Sequence, residues 1–269
     1  MRSLLRALAA VALGVGLVAV PAAVSPSAAF AAPSTDYVAL GDSYSSGTGV
    51  NSYDLDASCQ RSSRAYPALW AARRGTASFA FAACAGATTS SVRSGQLGAL
   101  NAGTDLVTIT VGGNDADFVG TVLTCKLGSD SACFSKLAAV NAFITGTLPG
   151  RLDAIYADIK ARAPNARLVV LGYPRLFQVN GTTNCLFEVG TAKRSRLNAT
   201  ADLLSTVTAE RVAAAGGTYL DARGTYAGRG ICAASPYLNG TTWPIGDSYH
   251  PNRNGHSRGY LPLLLDTAS

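Results

Sequence analysis

The stretch "LVTITVGGNDADF", Leu106 to Phe118, decides the fold. An apolar and β-branched run from Leu106 to Val111 passes without alternation into Gly112-Gly113 and a polar turn. A continuous run of this length suits a strand buried on both faces, as in a parallel sheet. Four more runs share the pattern: Tyr37–Leu40 (YVAL), Phe79–Ala83 (FAFAA), Arg167–Leu171 (RLVVL) and Thr218–Leu220 (TYL). Helix-like stretches lie between and after them, at Tyr66–Arg73, Leu152–Ala163, Ala192–Ala214 and around Gly259–Asp266. In the third of these, Leu197, Ala201, Leu204 and Val207 recur at three- and four-residue spacing and mark one helix face. Strands alternating with helices predict an α/β fold, an open parallel sheet with helices on both sides. No repeat, low-complexity linker or break in composition divides the chain, so one domain is expected.

Ligands of such sheets bind outside the carboxyl ends of the strands. Three strand ends here run into polar, glycine-rich loops: YVAL into GDSYSSG, FAFAA into CAGATTSS, and TITV into GGNDADF. Ser43 lies just past the first strand, in a turn that enters a helix. A serine hydroxyl is a poor nucleophile without a neighbouring base, and the chain has two histidines, His250 and His256. The letters GDSY recur at Gly246–Tyr249, directly before His250. A D-x-x-H turn can return the Asp247 carboxylate to Nδ1 of His250, leaving Nε2 to face the nucleophile. The two copies then divide the labour: Ser43 is the candidate nucleophile, and His250 with Asp247 the base and its orienter. Oxyanion donors must be fixed and must bring no negative charge near the developing one. The candidates are the backbone N–H of Ser43, the backbone N–H of Gly86, where the missing Cβ admits substrate, and the side-chain amide of Asn114.

Other residues have plainer readings. His256 is expected at the surface or a helix start, and Asp42 and Asp115 are expected to brace their turns. Tyr44, Phe118 and Trp243 could line an acyl pocket, but packing alone accounts for aromatic side chains. Gly47 and Gly49 follow Ser43 without the G-K-[ST] that completes a phosphate loop.

The N-terminus has a basic start (Arg2, Arg6), an apolar stretch Ala7–Val20 and a small-x-small site at Ala29-Phe30-Ala31. These predict a secretory signal peptide over 1–31 and a secreted domain over 32–269. Six cysteines, Cys59, Cys84, Cys125, Cys133, Cys185 and Cys232, then read as three disulfides. Fifteen pairings are open to six cysteines. Neighbour pairing is preferred, with a local argument for Cys125–Cys133, which share one short Gly/Ser/Asp-rich loop. No CxxC pair occurs and no histidine is near in sequence, so no metal site is expected. The net charge of +6 would be about +4 without Arg2 and Arg6. Its Lys and Arg residues are scattered without interleaved aromatics, which excludes a nucleic-acid face. A mildly basic chain can still be drawn to anionic surfaces, phospholipid headgroups included.

Together these motifs resemble the SGNH, or GDSL, hydrolases. Gly41-Asp42-Ser43, Gly86, Gly112-Gly113-Asn114-Asp115 and Asp247 to His250 match the four blocks of that family in order. "YVALGDSYSSG", the six cysteines and "SYHP" are similar to its secreted actinomycete lipase, esterase and phospholipase A1 branch. The resemblance implies a flavodoxin-like three-layer α/β/α sandwich with a five-stranded parallel sheet, and no cofactor. It also implies the sequential disulfides Cys59–Cys84, Cys125–Cys133 and Cys185–Cys232. Ser43 would be the nucleophile, His250 the base, and Ser43, Gly86 and Asn114 the oxyanion donors. Some relatives orient the histidine with a main-chain carbonyl instead of an acid. Asp247 is the expected third member here, with the Ser248 carbonyl as the alternative. The expected function is a secreted serine ester hydrolase, monomeric, acting on a lipid or other ester substrate and touching a membrane or micelle surface transiently. A carbohydrate (acetyl) esterase and a non-catalytic envelope lipid- or glycan-binding protein are the alternatives. A binder would be free to lose Ser43, His250 or Asn114, and all three are present. No long apolar lid segment is evident.

Overall fold

The computed structural model describes residues 35–180, 185 and 188–267; the expected signal peptide lies outside them. The five apolar runs become β1 (Asp36–Gly41), β2 (Ser78–Phe81), β3 (Leu106–Thr110), β4 (Arg167–Leu171) and β5 (Thr218–Leu220). They form one sheet in the order β2-β1-β3-β4-β5, every neighbouring pair parallel. That is the flavodoxin-like order, whose switch point lies between β1 and β3. The helices are α1 (Ser43–Ser46), α2 (Tyr66–Arg74), α3 (Thr89–Gly95), α4 (Phe118–Leu127), α5 (Asp130–Gly146), α6 (Leu148–Arg162), α7 (Thr191–Ala214), α8 (Ala222–Thr225) and α9 (Leu261–Thr267).

Strand side chains alternate between the two faces, and two buried clusters follow from that. Tyr37, Ala39, Val169 and Leu171 meet Trp70 of α2 and Leu261 and Leu264 of α9. Val38, Leu40, Val107, Ile109, Leu168 and Val170 meet Val92 of α3, Ile155 and Ile159 of α6, and Leu204 and Val212 of α7. Both faces are covered, which is why the strands read as unbroken apolar runs rather than alternating ones. The result is the three-layer α/β/α sandwich with a five-stranded parallel sheet.

The segment 118–146 departs from the sequence reading. Cys125 and Cys133 do not share a loop: Cys125 closes α4 and Cys133 opens α5, with only Gly128 and Ser129 between the two helices. Ser129 caps α5 by accepting from the Ala132 N–H. Helix α4 escaped detection because it is apolar on both sides. Val122 and Cys125 are buried while Val119, Leu123 and Leu127 are exposed, which erases the 3.6-residue period.

Three disulfides staple the molecule: Cys59–Cys84, Cys125–Cys133 and Cys185–Cys232. They close loops of 25, 8 and 47 residues. Chain-entropy stabilisation grows slowly with loop length, from about 2.5 kcal/mol for the shortest to about 4 kcal/mol for the longest. Paired Cys→Ser variants should therefore lose stability in the order Cys185/Cys232, Cys59/Cys84, Cys125/Cys133. Thermal melts of the three variants test this; an equal loss in all three would contradict the loop-length account.

Candidate active site

Ser43 opens α1 at the carboxyl end of β1, and the turn that carries it is tightly determined. Asp42 caps the helix by accepting from the Tyr44 N–H at 3.0 Å. Thr110 Oγ1 donates to that same carboxylate oxygen at 2.6 Å, and the second oxygen accepts from Tyr173 Oη. Gly41 sits at φ +121°, where a Cβ would lie 2.4 Å from the Thr110 carbonyl oxygen, so only glycine lets β1 turn so close to β3. The Gln96 amide closes on the Gly41 backbone from both sides, donating to its carbonyl and accepting from its N–H.

His250 Nε2 lies 2.8 Å from Ser43 Oγ. Its Nδ1 lies 2.9 Å from the Ser248 carbonyl. A carbonyl only accepts, so Nδ1 carries the proton and Nε2 presents its lone pair to the serine hydroxyl. Here the Asp247 expectation is corrected. Its carboxylate is turned away to accept from Tyr53 Oη, and the main chain holds the imidazole instead. The reason lies in Tyr249, at φ +62°, a left-handed conformation costing an aromatic residue about 1–3 kcal/mol. It folds the Ser248 carbonyl under the ring. Tyr44 Oη donates to the Tyr249 carbonyl at 2.7 Å, and the Tyr249 N–H donates to Asn239 O at 2.9 Å. The Asn239 side-chain amide also spans Gly49 O and Asp247 O, at 2.8 and 3.1 Å, and so clamps the histidine loop to the serine loop.

The remaining residues expected as oxyanion donors are on neighbouring loops. Gly86 follows β2 at φ +79°, and Asn114 follows β3. The Asn114 amide is fixed by donating one hydrogen to Ala87 O at 2.9 Å, which leaves its second hydrogen available. The Ser43 and Gly86 N–H groups take no protein acceptor among the described residues. Asp115 braces the same loop by accepting from Thr89 N and Oγ1. Gly113 donates to Tyr173 Oη at 3.1 Å, which couples the Asn114 loop to Asp42.

A cleft with largely apolar walls runs inward from Ser43. Its walls include Tyr44, Asn114, Phe118, Val122, Ile144, Leu197 and Leu204. Tyr44 and Phe118 thus do line it, whereas Trp243 is exposed on the surface. The second histidine is not at the surface either. His256 is wholly buried, and its Nδ1 accepts from the Tyr66 N–H at 3.2 Å, supplying the cap α2 otherwise lacks. Tyr173, Tyr53 and Asn239 escaped the sequence reading. Tyr173 could have been found, since it lies just past β4 on the same rim; the other two sit in loops with no motif.

A parallel sheet with a paired serine and histidine at its switch point is the arrangement of a serine hydrolase, and the relatives of this chain make it a carboxylic ester hydrolase. The chain belongs to the GDSL-like lipase/acylhydrolase family, whose profile matches residues 39–258. It is 49% identical to a lipase of Streptomyces rimosus over 242 residues, 88% of this chain and 90% of the relative. The crystal structure of an extracellular lipase from that organism superposes with a TM-score of 0.83, covering 87% of this chain and 99% of that one. Phospholipase A1 from Streptomyces albidoflavus NA297 gives the same TM-score at 46% identity and the same coverage.

Burial sets the charges. It pulls His250 down to about 4, against the opposing pull of the Ser248 carbonyl and the Asp247 charge, and His256 to about 3. It pushes Asp42 up to about 6, more than its hydrogen bonds can offset. Unfolded, the histidines would titrate near 6.5 and the aspartate near 3.8. Around pH 5 the folded chain therefore binds two fewer histidine protons and one more carboxyl proton than the unfolded chain. The histidine contribution is present above 6.5 and lost on acidification; the Asp42 contribution is present below 3.8 and lost as pH rises through about 6. For these three groups the two histidines outweigh the aspartate, so stability should fall as the pH drops from 6 to 4. Urea unfolding at pH 6.0, 5.0 and 4.5 checks the sign, which a flat or rising stability would contradict.

Proposed function

We propose that this chain is a secreted lipase or esterase that cleaves carboxylic esters of lipids through an acyl-enzyme on Ser43. The observation that carries the reading is the Ser43 Oγ–His250 Nε2 contact of 2.8 Å at the mouth of an apolar cleft. Ser43 passes its proton to His250 Nε2 as Oγ attacks the ester carbonyl carbon. The tetrahedral oxyanion is received by the N–H groups of Ser43 and Gly86 and by the Asn114 amide. His250 returns the proton to the leaving alkoxide, which departs as the alcohol. Water then repeats the sequence against the acyl-enzyme and releases the acid and the free serine. The Ser248 carbonyl steadies the imidazolium, with the Asp247 charge assisting from behind.

The lipid ester class is supported by the cleft's lining, which suits an acyl chain better than a sugar, and by the relatives that carry the names lipase and phospholipase A1. Export, with residues 1–31 as signal peptide and 32–269 as a monomeric catalytic domain, is supported by the three disulfides, which belong to oxidising compartments. The substrate is then met in a lipid aggregate at the surface of a membrane or micelle.

Hydrolysis of p-nitrophenyl esters of increasing acyl length should vanish in Ser43→Ala. Asn114→Ala should lower kcat about a hundred- to a thousandfold. Asp247→Asn should cost less than about tenfold, against roughly ten thousandfold when a triad aspartate is lost. A loss of that larger size would restore the aspartate as orienter. Because burial holds His250 near 4, kcat/KM on a soluble ester should keep its plateau to about pH 5 and fall through about pH 4. An acid limb at 6.5, with the fold intact by circular dichroism, would remove His250 as the base.

A further inference from the structure

The exposed apolar side chains are not scattered. Among the described residues, the large ones left well exposed are Leu55, Val119, Leu123, Leu127, Trp243 and Ile245. Val119, Leu123 and Leu127 stand four residues apart on α4 and form one stripe along its outer side. Trp243 and Ile245 stand on the loop that supplies the Ser248 carbonyl to His250, and Trp243 is 84% exposed. These two segments are tied together. Lys126, beside Leu127, donates to Thr241 Oγ1 and, at 3.2 Å, to Tyr249 Oη. Glu188 accepts from the Thr241 N–H and from Tyr249 Oη on the same knot. Leu55 joins from a third segment, which is anchored to the tip by the Tyr53–Asp247 contact. The inner side of α4 lines the cleft with Phe118 and Val122. The apolar rim and the apolar cleft are therefore two sides of one helix.

We propose that this rim, the α4 stripe with Trp243 and Ile245, is the face by which the protein sits on a lipid aggregate. It rests on the lipid-ester reading given above. Exposed apolar side chains gathered on two tethered segments mark an interaction surface, and their position selects the partner. A second copy or another protein seated on the rim would cover the entrance to Ser43. A lipid surface instead delivers an acyl chain through that entrance as the rim sinks into it. The positive net charge of the chain suits anionic lipid as well. The knot at Thr241, Tyr249 and Glu188 keeps the inserted tip rigid, so seating on lipid requires no lid to open.

The chain supplies its own probe, because its two tryptophans differ: Trp243 is exposed and Trp70 is 1% exposed. Ser43→Ala protein, unable to degrade the lipid, is mixed with phosphatidylcholine vesicles with and without phosphatidylglycerol. The expected result is a blue shift of tryptophan emission and co-sedimentation with both, with Trp243→Ala abolishing the shift. Leu123→Glu/Leu127→Glu in the Ser43→Ala background should weaken partitioning at least about tenfold. In the active enzyme the same pair should lower hydrolysis of vesicle phospholipid comparably, while p-nitrophenyl butyrate turnover in solution stays within about twofold. Absence of partitioning, or partitioning that the leucine pair does not affect, overturns the proposal. So does a wild-type dimer that the pair converts to monomer, which would make the rim a protein interface. Failure of the wild type to cleave any soluble ester would instead sink the hydrolase reading, and leaves the partitioning result to stand by itself.

Discussion

The Asp42 carboxylate, wholly enclosed beside Ser43, takes donors from three strand ends at once: Tyr44 N–H after β1, Thr110 Oγ1 at the end of β3, and Tyr173 Oη after β4. A buried carboxylate without partners is prohibitively costly, so each donor is held in place by the need of the acceptor. Burial still outweighs them, as the upward shift to about 6 records. What the arrangement gains is register between loops. Tyr173 passes the connection on by accepting from Gly113 N–H, so the Asn114 loop hangs from the same carboxylate that caps the helix of Ser43. Ser45 extends the contact deeper, bonding both Thr110 and Tyr66. The serine and one oxyanion donor are thus positioned by one connected polar network rather than by two independent turns.

The histidine is held by different means. Its ring meets a main-chain carbonyl, an acceptor that cannot be protonated near neutral pH and cannot rotate away. A peptide dipole stabilises an imidazolium less than a carboxylate in direct contact would. The Asp247 charge remains close enough to favour the protonated ring, so the electrostatic role is split from the orienting one. The left-handed Tyr249 is what makes this possible, and its aromatic side chain is itself bonded to Thr241, Lys126 and Glu188. Gly49 completes the junction. A Cβ there would lie 2.8 Å from His250 Cβ and 2.7 Å from Pro251 O, so the two loops could not otherwise come together.

The parallel sheet was legible in the sequence because strands covered on both faces must be apolar throughout, and the loops at their carboxyl ends stood out against them. Ser43, Gly86 and Asn114 stood out as candidates for that reason and His250 from its D-x-x-H turn; the structure brings His250 Nε2 to 2.8 Å from Ser43 Oγ and bonds the Asn114 amide to Ala87 O, next to Gly86. The partner of Nδ1 was not. Asp247 and Ser248 are adjacent, and the choice between carboxylate and carbonyl turns on a single backbone angle at Tyr249 that its residue type disfavours. His256 does stand at a helix start, in Gly255–Tyr260, but not at the surface, because a histidine's burial depends on what surrounds it, here the start of α2 and the rings of Tyr66 and Tyr260. Asn239 carried no local signal at all, since its partners lie on the loops it joins and are distant in sequence.

Helix α4 connects that last kind of failure to function. A helix at the edge of a globular fold ordinarily shows one apolar stripe and one polar face. This one is apolar inward, where Phe118 and Val122 border the cleft, and apolar outward, where Val119, Leu123 and Leu127 meet solvent. An outward stripe adds little to folding, because Val119, Leu123 and Leu127 keep 56%, 49% and 80% of their surface exposed. Nor is the helix loosely held: Asp117 caps it, Cys125–Cys133 fastens its far end, and Lys126 ties it to the Thr241 loop. A rigid helix presenting unburied leucines beside an apolar cleft makes physical sense where the solvent on that side is hydrocarbon for part of the catalytic cycle. The pattern that hid α4 from a search for amphipathic helices is the pattern a lipid-facing entrance requires.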